Sequence, residues 1–226
     1  MSATIITIDG PSGVGKGTIA ALLAKQYGFH LLDSGALYRL TAVNALRLGL
    51  DPDSATEAEK AVADLDVRFA NDKVYLHGEE VTEAIRTEAA GIAASKVAVH
   101  PAVRDKLFDF MQNFVREPGI VADGRDMGTT VFPQASLKLF LTASAEVRAE
   151  RRYKQLKGNG KDAILSDVLF DLAERDKRDS QRATSPLTPA KDAVAIDTGT
   201  MDIPQVFGIV QKLVEERGLS PSNFST

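Results

Sequence analysis

The sequence predicts an α/β fold with three layers, in which helices cover both faces of a five-stranded parallel sheet. Short apolar runs alternate with longer segments of helical periodicity along most of its 226 residues, which is typical of parallel strands joined by right-handed helical crossovers. One segment instead shows strand-like alternation and turn residues, which predicts a small antiparallel β insertion. In parallel sheets of this kind, ligands bind beyond the carboxyl ends of the strands. The residues that follow each predicted strand are therefore the first candidates for a functional site.

The elements can be placed in chain order. The first strand is the β-branched run Ile5–Asp9, and the Ala- and Leu-rich helix that follows it, residues 18–27, ends at Gly28. A second apolar strand covers residues 29–33 and is closed by Ser34 and a glycine. The remaining predicted strands are 120–122, 137–141 and 194–197, and the remaining predicted helices are 36–48, 101–116, 145–156, 164–179 and 203–217.

The antiparallel insertion is predicted between the second helix and the third strand of the sheet. Leu65, Val67 and Phe69 alternate with polar residues, a second strand-like run covers 74–76, and a turn is predicted at 77–79. We place this insertion within residues 61–98 and interpret residues 1–226 as a single domain.

Composition excludes several classes of site and of protein. The chain has no cysteine and only three scattered histidines, so disulfides, thiolate metal sites and a cysteine nucleophile are excluded. A net charge of −4 argues against broad nucleic-acid binding. No segment approaches the ~18 apolar residues that a membrane span needs, and the amino terminus lacks the pattern of a signal peptide. We therefore expect a cytoplasmic protein.

The strongest motif is GPSGVGKGT, which lies between a predicted strand and a predicted helix. Its glycines let the backbone curl with its N–H groups inward, and the helix adds its positive amino-terminal end, so the segment is predicted to be a phosphate-binding P-loop. Lys16 is placed to reach the terminal phosphates of ATP. The residue after this lysine is Gly17, and the hydroxyl group follows on Thr18, which would bind Mg²⁺ directly or through water. The predicted ATP-binding residues of the loop are Gly10, Pro11, Ser12, Gly13, Val14, Gly15, Lys16, Gly17 and Thr18.

Two further motifs carry a resemblance to a known family. The segment DSGALYR, residues 33–39, follows the second strand, and GRDMGT, residues 124–129, follows the third. Together with the GKGT ending of the P-loop, they resemble the bacterial cytidylate kinases, and the similarity extends to about Pro189. The resemblance implies transfer of the γ-phosphoryl group of ATP to CMP or dCMP, and it implies a monomer.

The same resemblance implies roles for individual residues. Lys16, Arg125, Arg175 and Arg182 would be catalytic, and Asp123 would lie near Mg²⁺ together with Thr18. The residues implied to contact CMP are Ser34, Tyr38, Arg39, Ser95, Arg104, Gly124, Arg125, Asp126, Arg175, Asp179 and Arg182.

Some of these roles also follow from the side chains themselves. A carboxylate such as that of Asp126 accepts a hydrogen bond from the N4 amino group of cytosine and repels the O4 of uracil. The alternative is that Asp126 is a turn or capping residue at a strand end. Arg175, Asp179 and Arg182 are spaced to share one helix face, where arginines can stabilise the charge of phosphoryl transfer. A solvated helix with ordinary ion pairs would show the same pattern.

A short lid is predicted over residues 148–175. The segment Lys157–Lys161 contains two glycines between predicted helices, and Arg148 and Arg152 lie on the helix that precedes it. We expect the lid to close over ATP and exclude water, with one of these two arginines contacting ATP. The alternative is that these arginines only decorate a surface helix.

Three other functions are compatible with parts of the sequence. One is a P-loop kinase with another small acceptor such as UMP, and a second is a nucleotide-binding module without transferase activity. A third, nucleic-acid binding through the basic residues of 148–182, is disfavoured by the acidic net charge and by the lack of interspersed aromatic residues.

Overall fold

The computed structural model describes residues 3–70 and 73–221. Its strands are β1 (Thr4–Asp9), β2 (His30–Asp33), β3 (Val67–Ala70), β4 (Lys73–Leu76), β5 (Glu79–Glu80), β6 (Gly119–Gly124), β7 (Leu137–Thr142) and β8 (Val194–Asp197). Its α-helices are α1 (Lys16–Tyr27), α2 (Ser34–Arg47), α3 (Ala55–Ala63), α4 (Glu88–Val97), α5 (Pro101–Gln112), α6 (Ala145–Gly158), α7 (Leu165–Gln181) and α8 (Ile203–Glu216). A 3₁₀ turn covers Ala84–Arg86 and a π-helical turn covers Met127–Val131.

The described residues form two compact units. One contains the chain up to Asp33 and from Phe114 onward, and the other is Ser34–Asn113. None of the helices in the described residues is long and apolar enough to cross a membrane.

The first unit is built on the predicted parallel sheet. Five strands lie in the order β2-β6-β1-β7-β8, and every neighbouring pair is parallel. Ile6 and Ile8 of β1 are fully buried in a cluster with apolar side chains of α1 and α8, among them Val206, Val210 and Val214. The four-residue spacing of these valines places them on one face of α8, which explains why this helix packs against the sheet and α1. The predicted α/β/α fold class is confirmed.

The second unit contains the antiparallel insertion. Its three strands lie in the order β3-β4-β5 and are joined by antiparallel pairs. The predicted turn at His77-Gly78 is confirmed, since both residues have positive φ angles. Helices α2 and α3 are joined by Asn44, whose Nδ2 donates to the carbonyl of Ala61 at 2.9 Å.

Several element predictions differ from the structure. Among the described residues of 61–98, the strands are confined to 67–70, 73–76 and 79–80. Helix α4 occupies 88–97, and neither it nor α3 was predicted. Helix α4 has many Ala residues and few large apolar ones, so it shows little periodicity. Helix α5 ends at Gln112 rather than at residue 116. The assignment of 61–98 to monophosphate binding stays a prediction.

Candidate active site

The loop between β1 and α1 has a backbone that requires glycine. Gly10, Gly13 and Gly15 have φ angles of 146°, 83° and 94°, values that residues with a side chain rarely adopt. A Cβ atom at Gly10 would lie 2.2 Å from the carbonyl oxygen of Leu141, so the loop also passes too close to β7 for any side chain there. The predicted strand–loop–helix arrangement of a P-loop is therefore present.

Helix α1 begins at Lys16 without a side-chain cap. Its cap residue is Gly15, and its first turn contains no acidic residue. The first N–H groups of a helix have no partner within that helix, so they can bind an anion. The Lys16 Nζ donates to the carbonyl of Pro11 at 2.9 Å, which folds the side chain back over the loop. Thr18 is exposed on the first turn.

Lys16 and Asp123 form a buried pair of opposite charge. The Lys16 Nζ lies 3.9 Å from Asp123 Oδ1, and the side chains are 6% and 14% exposed. Burial lowers the pKa of Lys16, and the positive charge of Arg125 lowers it further. Burial raises the pKa of Asp123, although the charge of Lys16 opposes this change. A phosphate bound in the loop would restore the full charge of Lys16, because an anion raises the pKa of a neighbouring ammonium group.

Three arginines surround the carboxylate of Asp179. The Arg125 Nε donates to Asp179 Oδ2 at 2.9 Å, and the Asp179 side chain is only 7% exposed. Burial would raise the pKa of Asp179, but Arg125, Arg175 and Arg182 lower it below its ordinary value. Arg175 also contributes to the lowered pKa of Lys16. The structure therefore joins this arginine cluster electrostatically to the phosphate loop.

The helix positions of this cluster were partly predicted. Arg175 and Asp179 lie on α7 as expected, but the helix ends at Gln181, so Arg182 is the first residue beyond it. The Arg182 Nη2 donates to the carbonyl of Ser185 at 2.9 Å, which holds the side chain on the segment after the helix. Placing Arg182 on the helix was therefore wrong, although its proximity to Asp179 was expected.

The two candidate lid arginines differ in their surroundings. Arg148 is buried, and its guanidinium forms a fork with Asp176, with donor–acceptor distances of 3.1 and 2.6 Å. It also donates to the carbonyls of Ser12 at 3.2 Å and Ala143 at 3.1 Å. Arg152 is half-buried, and its Nη1 donates to Gln155 Oε1 at 2.8 Å. Arg148 thus ties the phosphate loop to α7, a contact that the sequence did not indicate.

The carboxyl end of β6 and the segment after it carry Gly124, Arg125 and Asp126. Gly124 is the last residue of β6, and its carbonyl accepts from the Arg125 Nη1 at 3.3 Å. Asp126 is 2% exposed and precedes the π-helical turn, and its side chain makes no capping hydrogen bond there. Its position at the start of this turn agrees with the alternative that Asp126 is a turn residue, and its role in cytosine recognition stays a prediction.

The second unit holds the other predicted acceptor residues. Arg104 of α5 lies near Tyr38 of α2, with its ζ carbon 6.0 Å from the centre of the tyrosine ring. The Ser95 Oγ donates to the carbonyl of Ile92 at 2.8 Å, and the Arg39 Nη1 donates to the carbonyl of Ile85 at 3.2 Å. Tyr38, Ser95 and Arg104 are buried, as is Ser34 at the start of α2.

A second contact that holds the phosphate loop was also not predicted. The Thr198 Oγ1 donates to the carbonyl of Val14 at 3.2 Å, and Arg151 donates to the same hydroxyl and to the backbone carbonyl of Thr198. Thr198 follows β8 and is far from the loop in sequence, so no local pattern predicts this contact.

Comparisons with known proteins identify relatives over nearly the whole chain. The family model for cytidylate kinase matches residues 6–216. The cytidylate kinase of Pseudomonas putida KT2440 is 51% identical over 223 residues, which covers 96% of this chain and 98% of the relative. The cytidylate kinase of Cupriavidus pinatubonensis is 54% identical over 201 residues, which covers 89% and 91%.

A solved structure of an uncharacterised protein from Eubacterium ventriosum supports the fold. It superimposes with a TM-score of 0.54 at 16% identity and covers 94% of this chain and 98% of its own. The family model and the two sequence relatives extend far beyond the phosphate loop, so the chain belongs to the cytidylate kinase family.

Proposed function

We propose that the chain transfers the γ-phosphoryl group of ATP to CMP or dCMP, giving ADP and CDP or dCDP. Membership of the cytidylate kinase family supports this reaction. The structural observation that carries it is the electrostatic cluster of Lys16, Arg125 and Arg175 beside the phosphate loop. Such a cluster can neutralise two phosphate groups as they approach each other.

On the donor side, the phosphate loop from Gly10 to Thr18 holds the phosphates of ATP. Its curled backbone and the uncapped start of α1 support this role. Lys16 contacts the terminal phosphates, where burial strengthens its interaction with an anion. We propose that Arg148 or Arg152 makes the lid contact with ATP, and four hydrogen bonds hold Arg148 beside the phosphate loop.

On the acceptor side, we assign the cytosine ring to Ser95, Arg104 and Asp126. The carboxylate of Asp126 accepts from the N4 amino group of cytosine. Ser34, Tyr38 and Arg39 contact the sugar and the phosphate of CMP. Gly124, Arg125, Arg175, Asp179 and Arg182 complete the proposed contacts with the ribose and the phosphate.

The transfer needs no strong base. The acceptor is a phosphate oxygen that is already largely ionised near neutral pH, so positioning and charge neutralisation supply most of the catalysis. The arginine forks of Arg125, Arg175 and Arg182 bind phosphate oxygens and remain charged throughout the reaction.

The residues beside the loop fit a magnesium ion. A Cβ atom at Gly17 would lie 3.3 Å from Asp123 Oδ2, so this carboxylate borders the start of α1 next to Thr18. The described residues contain no group of three or more His, Cys, Asp or Glu that could hold a metal alone, and Mg²⁺ in kinases takes most ligands from phosphates and water. We propose that Asp123 and Thr18 would hold Mg²⁺ through water molecules, and that the ion would neutralise phosphate charge.

We also propose that residues 148–175 act as a lid that excludes water from ATP. Helices α6 and α7 pack against each other and are joined by a loop that contains Gly160 with a positive φ angle. A shortened loop at 158–160 should raise ATP hydrolysis in the absence of CMP. Equal hydrolysis and transfer rates in the shortened and intact proteins would contradict the lid. We place the protein in the cytoplasm as a monomer.

An acceptor screen tests the proposed function. ADP release from MgATP is measured with CMP, dCMP or UMP and without an acceptor, in the intact protein and in Lys16→Ala. We expect release to depend on CMP or dCMP and to be largely lost in the variant. Equal rates with UMP would favour another acceptor, and no acceptor-dependent release would favour a non-catalytic nucleotide-binding module.

A further inference from the structure

The last residue of β1 binds the segment that follows β6. Asp9 is 4% exposed and directly precedes the phosphate loop. Its Oδ1 accepts from the backbone N–H of Met127 and its Oδ2 from that of Gly128, each at 2.8 Å. One carboxylate therefore uses both oxygens to hold two consecutive N–H groups of a separate segment.

The segment that Asp9 holds begins directly after Arg125 and Asp126. The carbonyl of Asp126 then accepts from the backbone N–H groups of Thr130 at 2.9 Å and Val131 at 3.1 Å, which closes the π-helical turn. Such turns are rare and occur mostly at functional sites. Since the Met127 and Gly128 N–H groups lie at its start, Asp9 sets where this turn begins.

The buried carboxylate is energetically unfavourable by itself. Burial raises the pKa of Asp9 to about 6, although its two backbone hydrogen bonds and the charge of Lys16 act in the opposite direction. An apolar residue at the end of β1 would avoid this cost but would leave two buried N–H groups without acceptors. What the carboxylate adds is a defined position for the turn.

The turn also approaches β1 very closely. A Cβ atom at Gly128 would lie 2.9 Å from Thr7 Oγ1 and 3.3 Å from Asp9 Oδ2. A residue with a side chain at 128 would therefore push the turn away from the strand. Among the described residues, the buried Thr7 Oγ1 has no hydrogen-bond partner, so this hydroxyl does not itself hold the turn.

We propose that Asp9 is a positioning residue for the acceptor nucleotide, which fixes Arg125 and Asp126 through the N–H groups of Met127 and Gly128. This inference rests on the proposed function, in which Asp126 reads cytosine and Arg125 contacts phosphate. The two hydrogen bonds of the Asp9 carboxylate described above go to this segment and not to the phosphate loop, so its effect is expected on the acceptor side.

The first test is Asp9→Asn, which keeps the size of the side chain but leaves only one of the two acceptor oxygens. Its NH₂ group would face one of the two backbone N–H groups, so the turn should shift. We expect the KM for CMP to rise roughly tenfold and the preference for CMP over UMP to fall by a similar factor. The KM for ATP should change less than about twofold, because the phosphate loop keeps its own contacts.

A control and a second variant separate positioning from stability. Val214→Ala shortens a fully buried side chain of α8, so it should lower the melting temperature without changing the preference for CMP over UMP. Gly128→Ala leaves Asp9 intact but displaces the turn, and it should reproduce the loss of preference. Adding Thr7→Ala to Gly128→Ala removes the nearest clashing atom and should restore part of the preference for CMP over UMP.

The outcomes are distinguishable. If the unaltered protein does not phosphorylate CMP, the proposed function fails. If it does, but Asp9→Asn and Gly128→Ala keep the CMP preference of the unaltered protein, the positioning role is wrong. A rise in the KM for ATP equal to that for CMP would also overturn it, since general disruption of the site would then explain both.

Discussion

The substitution Arg148→Lys tests whether this arginine braces the phosphate loop. Lysine keeps the positive charge, but a single Nζ cannot form the fork with Asp176 and also reach the carbonyls of Ser12 and Ala143. Of the four hydrogen bonds that Arg148 donates, lysine can keep about one. Asp176 is partly exposed, with 27% of its side chain accessible, so water replaces part of the loss. At about 1 kcal/mol for each of the three lost bonds, less the part that water replaces, we expect a loss of ~2–3 kcal/mol in the free energy of unfolding.

The measurement is urea unfolding followed by circular dichroism, since the chain has no tryptophan. Hydrogen exchange of α6 and α7 locates the loss, because the two compact units can unfold at different urea concentrations. Arg152→Lys is the matched control on the same helix, and we expect a smaller loss of stability from it because Arg152 is less buried than Arg148. We also expect a raised KM for ATP in Arg148→Lys, because Ser12 belongs to the phosphate loop.

Equal stabilities of Arg148→Lys and Arg152→Lys would refute this reasoning. A double-mutant cycle with Asp176→Asn isolates the pair, and we expect a coupling energy of at least about 1 kcal/mol. Additive effects of Arg148→Lys and Asp176→Asn would show that the fork contributes nothing to folding.

Three further predictions concern the site. Lys16→Met should lower kcat/KM about 100-fold or more, measured by ADP release with CMP, because it removes the buried positive charge that contacts the phosphates. Asp126→Asn should reduce the preference for CMP over UMP by roughly tenfold or more in a competition assay, since its amide can donate to uracil. The pKa of Asp9 is raised from 3.8 to about 6, so Asp9 contributes stability that is fully present below pH 3.8 and is lost as pH rises through about 6. The unfolding free energy of the unaltered protein relative to Asp9→Asn should therefore increase, by up to about 3 kcal/mol, between pH 7 and pH 4.

Each of these predictions has a contradicting result. Unchanged kcat/KM in Lys16→Met would show that Lys16 does not act on the phosphates of ATP. Unchanged selectivity in Asp126→Asn would assign cytosine recognition to other residues. A stability difference between the unaltered protein and Asp9→Asn that stays constant with pH would mean that Asp9 titrates near its ordinary pKa.

The sequence predicted the parallel sheet because each strand is a short apolar run beside a helix of clear periodicity. Val194–Asp197 was placed at the bounds that the structure shows. Helices α3 and α4 were missed because alanine occupies most of their buried positions, and alanine marks a buried helix face less clearly than large apolar residues do. The predicted helix 164–179 ends two residues before α7 does, because the polar residues that follow residue 179 mark no clear helix end.

The site was predictable where a local motif carries the chemistry. The phosphate loop and the proximity of Arg175 to Asp179 follow from spacing along one segment. The contacts of Asp9 with Met127 and of Arg148 with Asp176 join residues that are distant in sequence. Tertiary packing alone brings these groups together, so no periodicity in the sequence predicts these contacts.

Helix α1 differs from four other helices in how it starts. Helices α3, α4, α6 and α8 begin with Ser54, Thr87, Ser144 and Asp202, whose side chains accept from the first turn. Among the described residues, no side chain does this for α1. An anion bound in the loop would accept from the first N–H groups of α1, and because it binds the folded protein it would raise the free energy of unfolding. Sulfate or inorganic phosphate should therefore raise the melting temperature of the protein without nucleotide. In the presence of saturating ATP, the same anions should cause no further rise.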